Sequence, residues 1–127
     1  MILFSPVHPY VDNLIFCSHP ASQNLQEQAR QANTSVYQLL ASKIEELARA
    51  KKLTHYAFLT ADTHVLPYFH GNRSPRADPT LKGMITGLTL SNDEDSLAQL
   101  YLATLQAIAY GTRHIIEEMN RVRVIIL

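Results

Sequence analysis

The sequence predicts a helix-rich α/β fold with a few short strands, forming part of a larger domain. Three observations carry that reading. From about Ser22 to Lys52, apolar residues recur at helical spacing. Two short apolar runs follow, Tyr56-Ala57-Phe58-Leu59 and His64-Val65-Leu66 to Tyr68-Phe69, with the aromatic and β-branched content of strands. A last helix, reaching about Asn120, is apolar nearly all round over its first turns, and such a helix belongs in the middle of a sizeable protein. The remaining elements do not obviously supply enough apolar surface to cover it.

Taken in order, Met1 to Pro20 is irregular. Pro6, Pro9 and Pro20 interrupt it and leave Tyr10 to Cys17 as one short candidate element. In the helical region Val36, Leu40, Ile44 and Leu47 fall at steps of four, four and three, which places them on one stripe. Arg49, Lys51 and Lys52 close that region, where the helix dipole favours cations. Asn33-Thr34-Ser35 is a capping sequence within it, so one long helix and two shorter ones both stay open. Ala61-Asp62-Thr63 turns between the two apolar runs. Pro67 makes the second run an edge strand or an extended segment.

The last helix has a start signal. Ser91 precedes Glu94 by three residues, a capping-box spacing, and Asp93, Glu94 and Asp95 load the first turn with negative charge. Asn92, Gln99, Gln106, Arg113 and Asn120 are each seven apart, a spacing that drifts only ~20° per step and so makes one narrow polar seam. Ala98, Ala103, Ala107, Ala109 and Gly111 let neighbouring backbones approach closely. Beyond it, Arg121-Val122-Arg123-Val124-Ile125-Ile126-Leu127 alternates and then becomes β-branched, as a strand does.

Composition removes several classes of function. Lysine plus arginine equals aspartate plus glutamate, eleven each in 127 residues, and no like-charge run dominates a segment. A nucleic-acid partner or an anionic membrane surface is disfavoured. Cys17 is the only cysteine, which excludes an internal disulfide and fits a reducing compartment. The first residues lack the basic region of a signal peptide, and no run approaches the ~18 apolar residues of a membrane span. The expected location is cytoplasmic.

The stretch from His70 to Leu88 holds too many glycines and prolines for a helix, and its polar residues are dense and varied. Gly71 and Asn72 permit left-handed backbone, and Pro75 sets an extended exit. Arg73 and Arg76 suit an anion, although arginine also ties loops down through carbonyls and carboxylates. Asp78-Pro79-Thr80 can cap the return. Taken alone, the stretch reads more readily as a structural brace than as a ligand loop, and both readings stay open. His64 and His70, with Asp62 nearby, make a poor metal site, because strand positions six apart sit roughly 20 Å from each other. Surface or hydrogen-bonding histidines are the better account. Asp62 and Asp78 are weak candidates for a base, since loop aspartates usually cap turns. No Ser-His-Asp arrangement is recognisable from spacing.

The residues of this stretch say more than their spacing. Phe69-His70-Gly71-Asn72-Arg73-Ser74-Pro75, Ala77-Asp78-Pro79, Leu81-Lys82-Gly83-Met84-Ile85 and Gly87-Leu88 resemble the start of the C-terminal core of the FGGY-family carbohydrate kinases. The wording His-Gly-Asn-Arg-Ser-Pro is similar to the pentulose-kinase branch that includes D-ribulokinase. Leu100 to Glu117 resembles the next helix of that family. The resemblance covers roughly residues 19–120, with 1–18 and 121–127 as non-matching segments and 19–120 as a partial C-terminal domain.

The resemblance implies an α/β fold that is a fragment of an actin-like, ribonuclease H-like ATPase domain. It implies ATP and magnesium as cofactors and a sugar as substrate, with positioning and electrostatics carrying most of the phosphoryl transfer. It places Gly71, Asn72 and Arg73 near the cleft. It assigns no catalytic residue and no metal ligand to this chain. The family's Asp-x-Gly-Thr phosphate segment, its Gly-Asp catalytic base and its Gly-Gly-x-x-x-Asn adenosine segment are not in the sequence. No complete ATP site is therefore expected. The expectation is part of an ATP-dependent kinase of a pentulose such as D-ribulose, inactive as an isolated chain. The alternative is a non-catalytic product that self-associates, pairs with a full-length kinase or has no independent role.

Overall fold

The computed structural model describes residues 19–122, so the expectations for Met1 to Ser18 and for Arg123 to Leu127 lie outside the described residues. The chain divides into two compact units. Among the described residues, one takes in 19–61 together with Thr89–Leu102, and the other Asp62–Leu88 together with 103–122.

The first unit is helical. The open choice between one helix and two resolves to two, α1 (Ser22–Gln31) and α2 (Val36–Ala50). The break has a local cause. Asn33 adopts a left-handed φ of 50°, its amide donates to the Arg30 carbonyl and the Thr34 amide donates to Ala29. These bonds close α1 as a Schellman motif, which uses up carbonyls a longer helix would have needed. Ser35 then starts α2: its hydroxyl accepts from the Tyr37 amide at 3.2 Å, and its own amide donates to Gln38 Oε1 at 3.3 Å. The α2 stripe packs as the periodicity requires, with Leu40, Ile44 and Leu47 buried, while Val36 stays half-exposed at the helix start. Leu25 and Ala29 of α1 are buried in the same unit.

Tyr56-Ala57-Phe58-Leu59 is not a strand. It is a 3-10 helix, Tyr56–Thr60, and the reason is local hydrogen bonding. His55 Nδ1 accepts from the Ala57 amide at 3.1 Å, the Phe58 amide donates to the His55 carbonyl, and Thr60 Oγ1 donates to the Ala57 carbonyl at 3.1 Å. Side chains that satisfy nearby backbone groups compete with a sheet ladder. The turn buries Leu59 and leaves Phe58 exposed.

The last helix, α3, runs Glu94–Val122. Its cap is Asp93, not Ser91: Asp93 Oδ1 accepts from the Ser96 amide at 2.8 Å. The capping-box spacing of Ser91 and Glu94 was a coincidence of composition, because Asp93 stands at the helix edge and is an equally good cap. In the first unit Leu97, Ala98, Leu100, Tyr101 and Leu102 are all buried, so this part of α3 is covered nearly all round. Tyr101 stacks obliquely on Tyr37, with ring centroids 6.0 Å apart. Polar contacts bind the first turn to α1 and α2. Glu94 Oε1 accepts from Asn24 and Gln28, both at 2.7 Å, and Lys43 pairs with Asp95 at 3.1 Å.

The second unit holds the described sheet, an antiparallel pair of β1 (His64–Leu66) and β2 (Met84–Thr86). Val65 sits opposite Ile85, and these two face inward while their neighbours are exposed. β1 ends before Pro67, which lacks the amide to continue a ladder. Tyr68 and Phe69, expected to prolong the run, lie beyond its end. β2 carries no sequence signal of its own, because Gly83 and Gly87 bracket only three residues. Within this unit α3 buries Ala103, Thr104 and Ala107, but Ile108, Tyr110, Ile116, Met119 and Val122 are exposed. Arg121 and Val122, expected to open a strand, are the last helical residues. Along the seam of polar residues, Gln99 and Gln106 are half-buried, Arg113 and Asn120 are exposed, and Asn92 precedes the helix.

Candidate functional site

The loop between β1 and β2 is held by its own backbone. The Asn72 amide donates to the Asp78 carbonyl and the Asp78 amide to the Asn72 carbonyl, each at 2.8 Å. Asn72 Oδ1 also accepts from the Arg76 amide at 2.9 Å. Residues 72–78 therefore form a closed loop around a single asparagine. The peptide before Pro75 is cis, and Ala77 takes a left-handed φ of 50°.

Gly71 leads into the loop with φ 75°, and a Cβ there would stand 2.6 Å from Pro79 Cα and 2.8 Å from the Asp78 carbonyl oxygen. Only glycine meets both demands, conformation and space. Gly83 serves the exit in a different way, since a Cβ would fall 2.2 Å from the ring of Phe69. That contact had no sequence signal beyond the glycine itself.

The side chains divide by role. Asp78 Oδ1 accepts from the Thr80 amide at 2.8 Å and from Thr80 Oγ1 at 2.6 Å. Those two bonds, with Arg76 nearby, hold its carboxyl below the usual aspartate range. Asp78 is an ionised turn cap, as its place before Pro79-Thr80 suggested, and it is committed to that turn. Asn72 is committed likewise. Arg73 and Arg76 are exposed at the tip. The loop thus offers two guanidinium groups on a braced backbone, an arrangement suited to anionic oxygen.

His64 is exposed on β1 and His70 is exposed at the loop entry. Among the described residues, no three histidine, cysteine, aspartate or glutamate side chains stand together to hold a metal ion. Asp62 is exposed, and its carbonyl oxygen lies where a Cβ on Gly87 would fall, at 1.7 Å. It acts through its backbone as a close neighbour of the β2 exit. These residues do not fit a complete magnesium or nucleotide site. No helix of the described residues is long and apolar enough to cross a membrane.

The chain is a member of the FGGY family of carbohydrate kinases, whose C-terminal domain matches residues 6–126. The match reaches past residues 19–120 at both ends. Among its relatives, a FGGY carbohydrate kinase domain-containing protein of Homo sapiens is 55% identical over 102 residues, covering 80% of this chain and 18% of the relative. The Xenopus laevis protein of the same description is 50% identical over 110 residues, 87% of this chain and 19% of the relative. A D-ribulokinase of Saccharomyces cerevisiae is 35% identical over 109 residues, 86% of this chain and 15% of the relative. The chain therefore spans less than a fifth of the length of the curated relatives it matches.

Proposed function

We propose that this chain is part of an ATP-dependent, cytoplasmic kinase that phosphorylates a pentulose such as D-ribulose. Its fold is read as a piece of an actin-like, ribonuclease H-like ATPase domain. The observation that carries the substrate class is the 35% identity to a D-ribulokinase across 86% of this chain. The His70-Gly71-Asn72-Arg73-Ser74-Pro75 wording of the loop supports the same branch.

In this reading Gly71, Asn72 and Arg73 border the cleft. Gly71 lets the backbone pass close to Pro79, and Asn72 locks the loop. Arg73 then projects from a backbone that needs little reorganisation, the condition under which a fixed positive charge is most effective towards anionic groups. ATP and magnesium supply the transferable phosphoryl group and its charge neutralisation. The base and the phosphate segment come from other parts of the enzyme, so the isolated chain turns nothing over.

A coupled ADP-release assay with D-ribulose and magnesium-ATP tests this on two samples, this chain and the longest protein that carries it. The expected result is no turnover from the chain and D-ribulose-dependent turnover from the longer protein. ADP release by the chain alone, or a longer protein indifferent to pentuloses, overturns the proposal.

A second reading rests on the exposed apolar residues of distal α3, Ile116, Met119 and Val122. It makes the chain a non-catalytic product that pairs with a full-length kinase through that face. Co-purification with the kinase at a defined stoichiometry supports it, and a stable monomer without such a partner removes it.

A further inference from the structure

His19 precedes α1 and touches the first turn of α3 within the same unit. Its Nδ1 accepts from the Ala21 amide at 3.2 Å, so that nitrogen carries no proton. The proton of the neutral ring must sit on Nε2, which lies 3.0 Å from Ser96 Oγ and donates to it. The Ser96 hydroxyl in turn donates to the Asp93 carbonyl at 2.8 Å, with the Ser91 carbonyl at 3.3 Å. The directions of all three bonds agree only while the imidazole is neutral.

We propose that His19 is a proton-operated clasp that holds the start of α1 to the capped first turn of α3. A proton added at Nδ1 sets one N–H against another, the ring's against that of Ala21. Turning the ring over does not help, because whichever nitrogen faces Ala21 must accept. The His19 carbonyl also accepts from the Ser22 amide at 3.1 Å, so a ring that swings away loosens the helix start.

The surrounding charges do not rescue the imidazolium. Asp93 favours it, but the Asp93 carboxylate accepts from the Ser96 amide. On the same turn Glu94 accepts from Asn24 and Gln28 of α1, and Asp95 is paired with Lys43 of α2. Burial is the larger influence and pushes the His19 pKa below its ordinary 6.5. The sign follows from that direction. The clasp contributes fully above pH about 6.5, and its contribution is lost as pH falls through the lowered pKa of the closed state.

Two measurements on the unaltered protein test this. Ring nitrogen shifts by NMR report the tautomer and the His19 pKa, and hydrogen exchange reports the protection of the Ala21 amide. The expected result is an Nε2–H tautomer near neutral pH and a midpoint below 6.5. Ala21 protection, corrected for intrinsic exchange, should fall about tenfold for each unit by which that midpoint lies below 6.5. In His19→Asn, whose side-chain oxygen can still accept from Ala21, protection should become independent of pH across this range. An Nδ1–H tautomer, a midpoint at or above 6.5, or protection that ignores the titration overturns the proposal.

Discussion

Asn72 and Asp78 exchange two backbone hydrogen bonds, each 2.8 Å, across a loop of only five intervening residues. This reciprocal pair is what makes the most recognisable stretch of the sequence a fixed object. The two residues have polar side chains, yet their shared role is carried by main-chain groups.

The entry to that loop should be intolerant of any side chain. Gly71→Ala combines a left-handed φ, which costs a residue with a Cβ about 1–2 kcal/mol, with a contact of 2.6 Å to Pro79 Cα. The expected outcome is rapid exchange at the Asn72 and Asp78 amides, seen by hydrogen exchange. Unchanged protection would mean that the loop closes without Gly71.

Two other glycines should respond in opposite directions. Gly87→Ala places a Cβ 1.7 Å from the Asp62 carbonyl oxygen at φ 79°, and should break the β1–β2 pairing. Gly111 lies within α3 with nothing inside 4 Å of an added Cβ, so Gly111→Ala should stabilise by about 0.5–1 kcal/mol. Denaturant midpoints of the two variants provide the check.

Lys52 closes α2 in a left-handed conformation, φ 52°, with its amide bonded to Arg49 and the Leu53 amide bonded to Ala48. Glycine is the natural residue for that position of a Schellman motif. Lys52→Gly should therefore stabilise the chain, by up to about 1 kcal/mol, as relief of left-handed strain outweighs the greater freedom of the unfolded chain. A lowered midpoint in urea would count against the strain.

Asp93 caps α3, and hydrogen bonds from the Ser96 amide and the Ser91 hydroxyl hold its carboxyl below the usual range. Asp93→Ala should cost about 1 kcal/mol. Because the folded pKa is depressed, the contribution is present above the ordinary aspartate pKa and is lost as pH falls through the lowered value. Wild type and Asp93→Ala should therefore converge in stability under strong acid, and a constant difference at all pH values would exclude the cap.

Distal α3 exposes Ile108, Tyr110, Ile116, Met119 and Val122 on a helix whose earlier turns are buried. By helical spacing Ile108, Ile116, Met119 and Val122 share one side of α3, with Tyr110 on the other, and exposed apolar surface of this kind associates or binds hydrophobic dyes. Ile116→Lys with Met119→Lys should lower dye fluorescence while leaving the far-ultraviolet helix signal unchanged. Strong dye binding by this double variant would locate the sticky surface elsewhere.

Legibility in the sequence followed the length of each pattern. The periodicity of Leu40, Ile44 and Leu47 extends over two turns and marked α2, and the apolar run from Leu97 marked α3. β1 was visible, whereas β2 is three residues between glycines and repeats nothing. Tyr56 to Leu59 has strand composition, but His55 and Thr60 bond to the local backbone, and four residues of composition cannot outweigh those bonds.

The sequence alone determined the family, through the wording of the loop at Gly71-Asn72-Arg73, and the helical character of most of the chain. Tertiary structure decided which loop groups stay available. Asn72 and Asp78 are spent on closing the loop and capping its return, and Arg73 and Arg76 stand exposed at its tip. It also decided that Asp93, rather than Ser91, begins α3, and that His19 meets Ser96 across 77 positions of sequence. The physical reason is the same in each case. A side chain's local pattern fixes what it can bond to, and only the folded backbone fixes which partner comes within about 3 Å.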